Sequence, residues 1–132
     1  MIFVDTSFWI ALRNAKDADH AEARQLYLAR AKAGLVTTQH VRGETWTWLR
    51  RKIGHRPALH FLDSTARSSW VTIVGVGEEL EREAWRWLRR HDERSYSFVD
   101  ATSFAVMRSL RIREALTFDR DFGAAGFVPL RA

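Results

Sequence analysis

Asp5 follows the short apolar run Ile2-Phe3-Val4, Glu44 sits inside a helical stretch, Asp100 opens another, and Asp119 follows Ala115-Leu116-Thr117-Phe118. An α/β chain would bring these four acids into one crevice. Carboxylates gathered in that way repel each other, so one of them takes up a proton or a cation neutralises them. A hard divalent ion is the simplest occupant. An oxygen-rich pocket suits Mg²⁺ or Mn²⁺, whose main chemical use is phosphoryl transfer and phosphodiester hydrolysis.

Taken singly, each acid also has a plainer role. Asp5 can cap a helix, and Asp119 can serve the turn Phe118-Asp119-Arg120-Asp121. Ser97-Phe98-Val99-Asp100 has capping-box spacing. Glu44 falls on the stripe defined by Val41, Thr45, Trp48 and Leu49, where a salt bridge to an Arg could satisfy it. An unpaired carboxylate on such an apolar face costs several kcal/mol or becomes protonated. Convergence is what favours a site, because two strand-end acids and two acids on apolar helix faces have separate reasons to share one crevice.

The elements that must position these acids alternate along the chain. Ile2 to Val4 reads as a strand, followed by a helix from Phe8 to Arg13 capped within Asp5-Thr6-Ser7. A longer helix from Asp17 or Asp19 to about Ala33 carries an alanine-rich stripe and stops at Gly34. Leu35 to Thr37 reads as strand, Gln39 to Lys52 as helix, Pro57 to Ser68 as helix and Trp70 to Val76 as strand. Glu78 to His91 reads as a helix with acids first and bases last, which complements its dipole. Ser97 caps a helix from Phe98 to about Leu110, Ala115 to Phe118 is a fourth strand, and Phe127 to Leu130 adds a short fifth. Such alternation predicts a mainly parallel sheet of four to five strands with helices on both faces, and ligands beyond the carboxyl ends of the strands.

At 132 residues the chain is expected to form one domain, residues 1–132. It has no cysteine, which excludes disulfides, thiolate nucleophiles and Cys-based metal sites. The apolar start, Met1 to Leu12, lacks a basic leader and contains Asp5, so it is not read as a signal peptide. No apolar run reaches the roughly 20 residues of a membrane span, and a cytoplasmic location is expected. The net charge of +5 suggests an anionic partner. Arg50, Arg51, Lys52 and Arg56, with His55, form the best candidate phosphate-steering patch, although a solvated helix end is the plainer reading. The five histidines show no ligand spacing, and Trp46 and Trp48 read as core or interface rather than as base-stacking platforms.

Met1-Ile2-Phe3-Val4-Asp5-Thr6-Ser7, Glu44, Tyr96-Ser97-Phe98-Val99-Asp100-Ala101 and Leu116-Thr117-Phe118-Asp119-Arg120-Asp121-Phe122 together resemble a PIN domain. Within that family the chain is most similar to the small VapC-like ribonuclease toxins of type II toxin–antitoxin systems. The resemblance spans essentially the whole chain. It implies a three-layer α/β/α sandwich and a Mg²⁺- or Mn²⁺-dependent endoribonuclease whose acidic quartet falls on Asp5, Glu44, Asp100 and Asp119. Thr6 matches the hydroxyl residue after the first acid, Thr117 the one two residues before the last, and Asp121 an auxiliary ligand. It further implies an RNA substrate, a cognate VapB-like antitoxin and a homodimer.

Other activities fit the same sheet less well. A PIN-type RNA-processing or DNA-acting nuclease without an antitoxin would use the same acids. A haloacid-dehalogenase-like phosphatase needs a second acid two residues after Asp5, where Ser7 stands. A phospho-receiver needs a late lysine, and the last here is Lys52. A non-enzymatic nucleic-acid binder would leave Glu44 and Asp100 unexplained.

Overall fold

The computed structural model describes all 132 residues. Five strands, β1 (Ile2–Val4), β2 (Leu35–Thr38), β3 (Val71–Val74), β4 (Glu114–Leu116) and β5 (Val128–Pro129), form one sheet in the order β3-β2-β1-β4-β5. Every pairing is parallel. β1 and β2 are buried along their whole length, as strands covered on both faces must be.

Seven helices connect them: α1 (Thr6–Arg13), α2 (His20–Arg30), α3 (Gln39–Lys52), α4 (His55–Arg67), α5 (Glu78–Arg90), α6 (Phe98–Leu110) and α7 (Arg120–Ala124). The chain steps from β1 to β2 to β3 in one direction, then crosses back to β4 and β5 in the other. Right-handed crossovers therefore put α1 to α4 on one face and α5 to α7 on the opposite face. The packing agrees, with α1 against α2 and α3, α3 against α4, α5 against α6 and α6 against α7. The result is the three-layer sandwich that the alternation predicted. Its direction changes between β1 and β4, and that switch point is where a crevice opens beyond the strand ends.

The core is continuous beneath this crevice. Trp9 of α1 lies edge-on to Phe61 of α4 at 5.6 Å between ring centroids. Phe104 of α6 meets Trp87, Phe122 and Phe127 at 5.1, 4.9 and 5.4 Å, which ties α5, α6 and α7 together. These aromatic pairs fix the level of α6, and with it the position of Asp100.

Several boundaries differ from those expected, each for a local reason. α1 begins at Thr6, because Asp5 itself supplies the cap by accepting from Ser7 N. α2 begins at His20 and gives way to a 3₁₀ turn over Ala31–Ala33, and only Ala23 and Leu26 of its expected stripe are buried. Gly34, at φ 95°, turns the chain into β2. α4 starts at His55, since the ring of Pro57 costs nothing among the first amides of a helix. β3 is shorter at both ends than the span from Trp70 to Val76. β4 stops at Leu116 because Phe118 N bonds to Ser7 Oγ rather than to a neighbouring strand. The segment after Asp119 is a short helix rather than a simple turn, and Asp119 caps it, accepting from Asp121 N at 2.9 Å.

Candidate active site

Asp5 leaves β1 with its N–H still bonded to the Leu116 carbonyl of β4 at 3.1 Å. Its side chain is then held by hydroxyls. Oδ2 accepts from Ser7 Oγ at 2.8 Å, from Thr117 Oγ1 at 3.1 Å and from Ser7 N at 3.3 Å. Ser7 Oγ accepts in turn from Phe118 N at 2.9 Å, and Thr117 Oγ1 from Asp119 N at 3.0 Å. One oxygen of Asp5 is thus fully engaged while the other is uncommitted. The same bonds clip the loop after β4 to the start of α1, which places Asp119 beside Asp5.

Asp100 is the third residue of α6. The capping box is present: Ser97 Oγ accepts from Asp100 N at 3.0 Å, and Asp100 Oδ2 accepts from Ser97 N at 3.3 Å. Capping and site membership are compatible here, since the cap takes one carboxylate oxygen and aims the residue into the crevice. There a cavity of about 390 Å³ is lined by Asp5, Thr6, Glu44, Asp100, Asp119 and Asp121, with Ser7, Ser95 and Ser97 at its walls.

The acids are not equivalent. Oxygens from Asp100, Asp119 and Asp121 all lie within 4.8 Å of one another. Asp5 is the most enclosed, and Glu44 is exposed at the rim. The expectation that Glu44 lies on the buried stripe of α3 is therefore corrected. Val41, Thr45 and Leu49 make the buried ridge at i, i+4 and i+8, while Glu44 and Trp48 fall on the ridge beside it. Asp121, expected as an auxiliary ligand, groups with Asp100 and Asp119. Its Oδ1 accepts from Arg94 Nε at 2.7 Å.

Burial pushes the Asp5 carboxyl up to about 6, with Asp119 adding to the rise and the bonds from Ser7 and Thr117 and the nearby Thr6 amide opposing it. Burial likewise raises Asp100, to about 7, and the charges of Asp5 and Asp119 push in the same direction. Both carboxyls lack a compensating cation in the protein itself. One further polar atom is unsatisfied, the buried Oγ1 of Thr6 in the cavity wall. An all-oxygen donor set, two destabilised carboxylates and an orphaned hydroxyl fit a hard divalent cation. Asp100, Asp119 and Asp121 would hold it together with the free oxygen of Asp5.

Two contributors escaped the sequence reading. In the sequence Ser7 reads as a capping residue at the end of the motif over residues 1–7, with no sign that its hydroxyl joins Asp5 to the β4 loop. Arg94 was not singled out, because its partner Asp121 is 27 positions away in the chain. Arg50, Arg51, Lys52 and Arg56 are all exposed; Arg51 and Lys52 line a cavity next to the acids, whereas Arg50 and Arg56 do not. None of the histidines lines the acid cavity.

A parallel sheet with acids at its switch point suits a metal-dependent hydrolase, and comparison with known proteins identifies the family. Residues 2–128 match the PIN domain, and the chain belongs to the PIN domain family. It is 54% identical over 131 residues to the 23S rRNA-specific endonuclease VapC20 of Mycobacterium tuberculosis, in strains CDC 1551 / Oshkosh and H37Rv, covering 99% of this chain and 98% of the relative. The crystal structure of Mycobacterium tuberculosis VapC20, described as a Sarcin-Ricin loop cleaving toxin, matches it with a TM-score of 0.95 and 53% identity over 100% of both chains.

Proposed function

We propose that this chain is the toxin of a type II toxin–antitoxin pair, an endoribonuclease dependent on Mg²⁺ or Mn²⁺ that cuts 23S rRNA at the sarcin–ricin loop. The observation that carries this reading is an acidic pocket at the sheet's switch point on a chain 54% identical, nearly end to end, to a 23S rRNA-specific endonuclease. The whole chain acts as one catalytic domain. No helix is long and apolar enough to cross a membrane, and the reading places the protein in the cytoplasm with its RNA. A cognate VapB-like antitoxin silences it, and two copies associate as a homodimer.

A divalent cation held in this pocket would lower the pKa of a water and offset negative charge on the phosphodiester. The residues do the rest. Asp5, Asp100, Asp119 and Asp121 would hold the cation, and Glu44 would orient water from the rim. Ser7 and Thr117 hold Asp5 in one rotamer, so that little reorganisation is needed during the reaction. No histidine or lysine base is needed.

The test is incubation of ribosomes and total RNA with the purified protein and Mn²⁺ or Mg²⁺, with product ends mapped by primer extension. Discrete ends in the sarcin–ricin loop of 23S rRNA, absent with chelator and absent with Asp5→Asn, are expected. Ends elsewhere would reassign the substrate. No cutting by folded, metal-loaded, antitoxin-free protein would move the reading to a DNA substrate or a binding role.

Ser7→Ala provides a finer check of the hydroxyl clip. Loss of an outer-shell partner of this kind typically costs about 10- to 100-fold in activity or metal affinity. Cleavage is expected to fall by that amount, with the circular dichroism spectrum unchanged. A rate equal to the parent's would show that Asp5 needs no such support.

A further inference from the structure

The acid cavity adjoins a larger one, about 690 Å³, that runs along α3, and Glu44 belongs to the walls of both. Gly43, Thr47, Trp48, Arg51 and Lys52 line its α3 side, and Val99 of α6 faces them. Trp48 and Lys52 also border a third cavity of about 610 Å³, whose far wall includes Arg13 and Lys16. Shared walls make these one trough, acidic at the strand ends and basic at the far end of α3.

Folding alone explains neither the trough's floor nor its rim. Gly43 lies mid-helix, where glycine weakens a helix relative to alanine. A Cβ there would meet nothing within 4 Å, and the backbone is not in the left-handed region. Neither packing nor geometry calls for glycine, so what its absence of side chain leaves open is the trough itself. Trp48 is only half-buried, with both cavities against it. Arg51 and Lys52 are exposed and take part in no ion pair.

We propose that this trough seats the single-stranded RNA segment adjoining the scissile phosphate, with a base lying over the bare backbone of Gly43 and stacking on Trp48, and the following phosphates held by Arg51 and Lys52. The assignment rests on the endoribonuclease reading above and gives that site its substrate path. From Glu44 to Lys52 the helix rises about 12 Å, which matches three to four stacked nucleotides at about 3.4 Å each. Stacking on an aromatic ring beside a basic rim is how proteins commonly hold single strands. The order of charge favours nucleic acid over a protein tail. A strand with one phosphate at the cation and phosphates a few nucleotides on at Arg51 and Lys52 meets attraction at both ends of the trough, whereas a basic peptide drawn to the acids would be repelled at the far end.

The experiment uses a fluorescent single-stranded RNA of mixed sequence, bound to the full chain in an Asp100→Asn background, where binding is read without cleavage. Gly43→Met fills the floor with a good helix former. It is expected to leave the melting temperature equal or higher while weakening RNA binding about tenfold or more, the scale of one lost stacked base. Trp48→Leu is expected to weaken binding similarly. The paired change Arg51→Gln with Lys52→Gln should lower the slope of log affinity against log salt by about 1.4, two single-strand phosphate contacts. With Asp100 restored, Gly43→Met should cut RNA poorly yet keep the parent's metal-induced rise in melting temperature.

Parent-like binding and cleavage by Gly43→Met would overturn the assignment. So would normal cleavage combined with escape from the antitoxin, which would give the trough to a protein tail. A lowered melting temperature with unaltered RNA affinity would reduce Gly43 to a structural residue, against the proposal. Failure of the parent itself to cut any RNA would instead remove the function on which the proposal rests.

Discussion

In the Asp5→Asn and Asp100→Asn proteins, metal-dependent RNA cleavage is expected to fall by on the order of 10³-fold, the upper range for loss of a preorganised electrostatic group. Each substitution is nearly isosteric and removes one negative charge from the cation's donor set. Asn at position 5 can still accept through Oδ1 from Ser7 and Thr117, so the clip between α1 and the β4 loop survives in part. Asn at position 100 can still take the Ser97 bond that closes the capping box. The fold is therefore expected to persist while the affinity for a divalent ion collapses. Glu44→Gln should cost less, about 10- to 100-fold, because Glu44 stands exposed at the rim and lies outside the tight group formed by Asp100, Asp119 and Asp121. Product formation under single-turnover conditions, with circular dichroism as a control for folding, measures all three. Full activity in Asp100→Asn with an intact fold would remove the metal site as the origin of catalysis.

The sequence revealed most of this arrangement because the relevant signals are local. Strand, turn and helix alternate with little ambiguity in a chain where Val4, Val36 and Leu116 are flanked by turn residues, and parallel order follows from the crossovers. Asp5 and Asp100 were legible for a similar reason: each is a lone acid at the end of an apolar element. Glu44 was misplaced because a stripe spanning Val41, Glu44, Thr45, Trp48 and Leu49 is two ridges wide, and periodicity does not say which ridge faces the core. The helix that carries Asp121 was not legible because α7 has only five residues, too few to show a period. The hydroxyl clip was out of reach altogether. Ser7 and Thr117 are separated by 110 positions, and only the pairing of β1 with β4 brings them together.

The cost of holding the acids together should be measurable as a dependence of stability on pH that reverses when metal is added. In chelator, Asp5 titrates near 6 in the folded protein against a usual 3.8, and Asp100 near 7. A carboxyl raised in this way binds its proton more tightly folded than unfolded. Its stabilising contribution is present below about pH 4 and is lost as pH rises through 6 to 7. For Asp5 alone the gap is on the order of 3 kcal/mol. The melting temperature of the metal-free parent should therefore decline relative to Asp100→Asn from pH 4.5 to 7.5, and Asp100→Asn, with one fewer buried charge, should melt higher at pH 7.5. With Mg²⁺ or Mn²⁺ the direction reverses, since protons compete with the cation for the same oxygens and metal stabilises most where the carboxyls are ionised. At pH 7.5 saturating metal should raise the parent by several degrees, because about 1 kcal/mol moves a domain of this size by about 3–6 °C. The same addition at pH 4.5, or to Asp100→Asn at either pH, should do much less. Equal metal responses in the two proteins at pH 7.5 would place the cation away from Asp100, and a parent curve parallel to the variant's in chelator would show that the pocket carries no electrostatic strain.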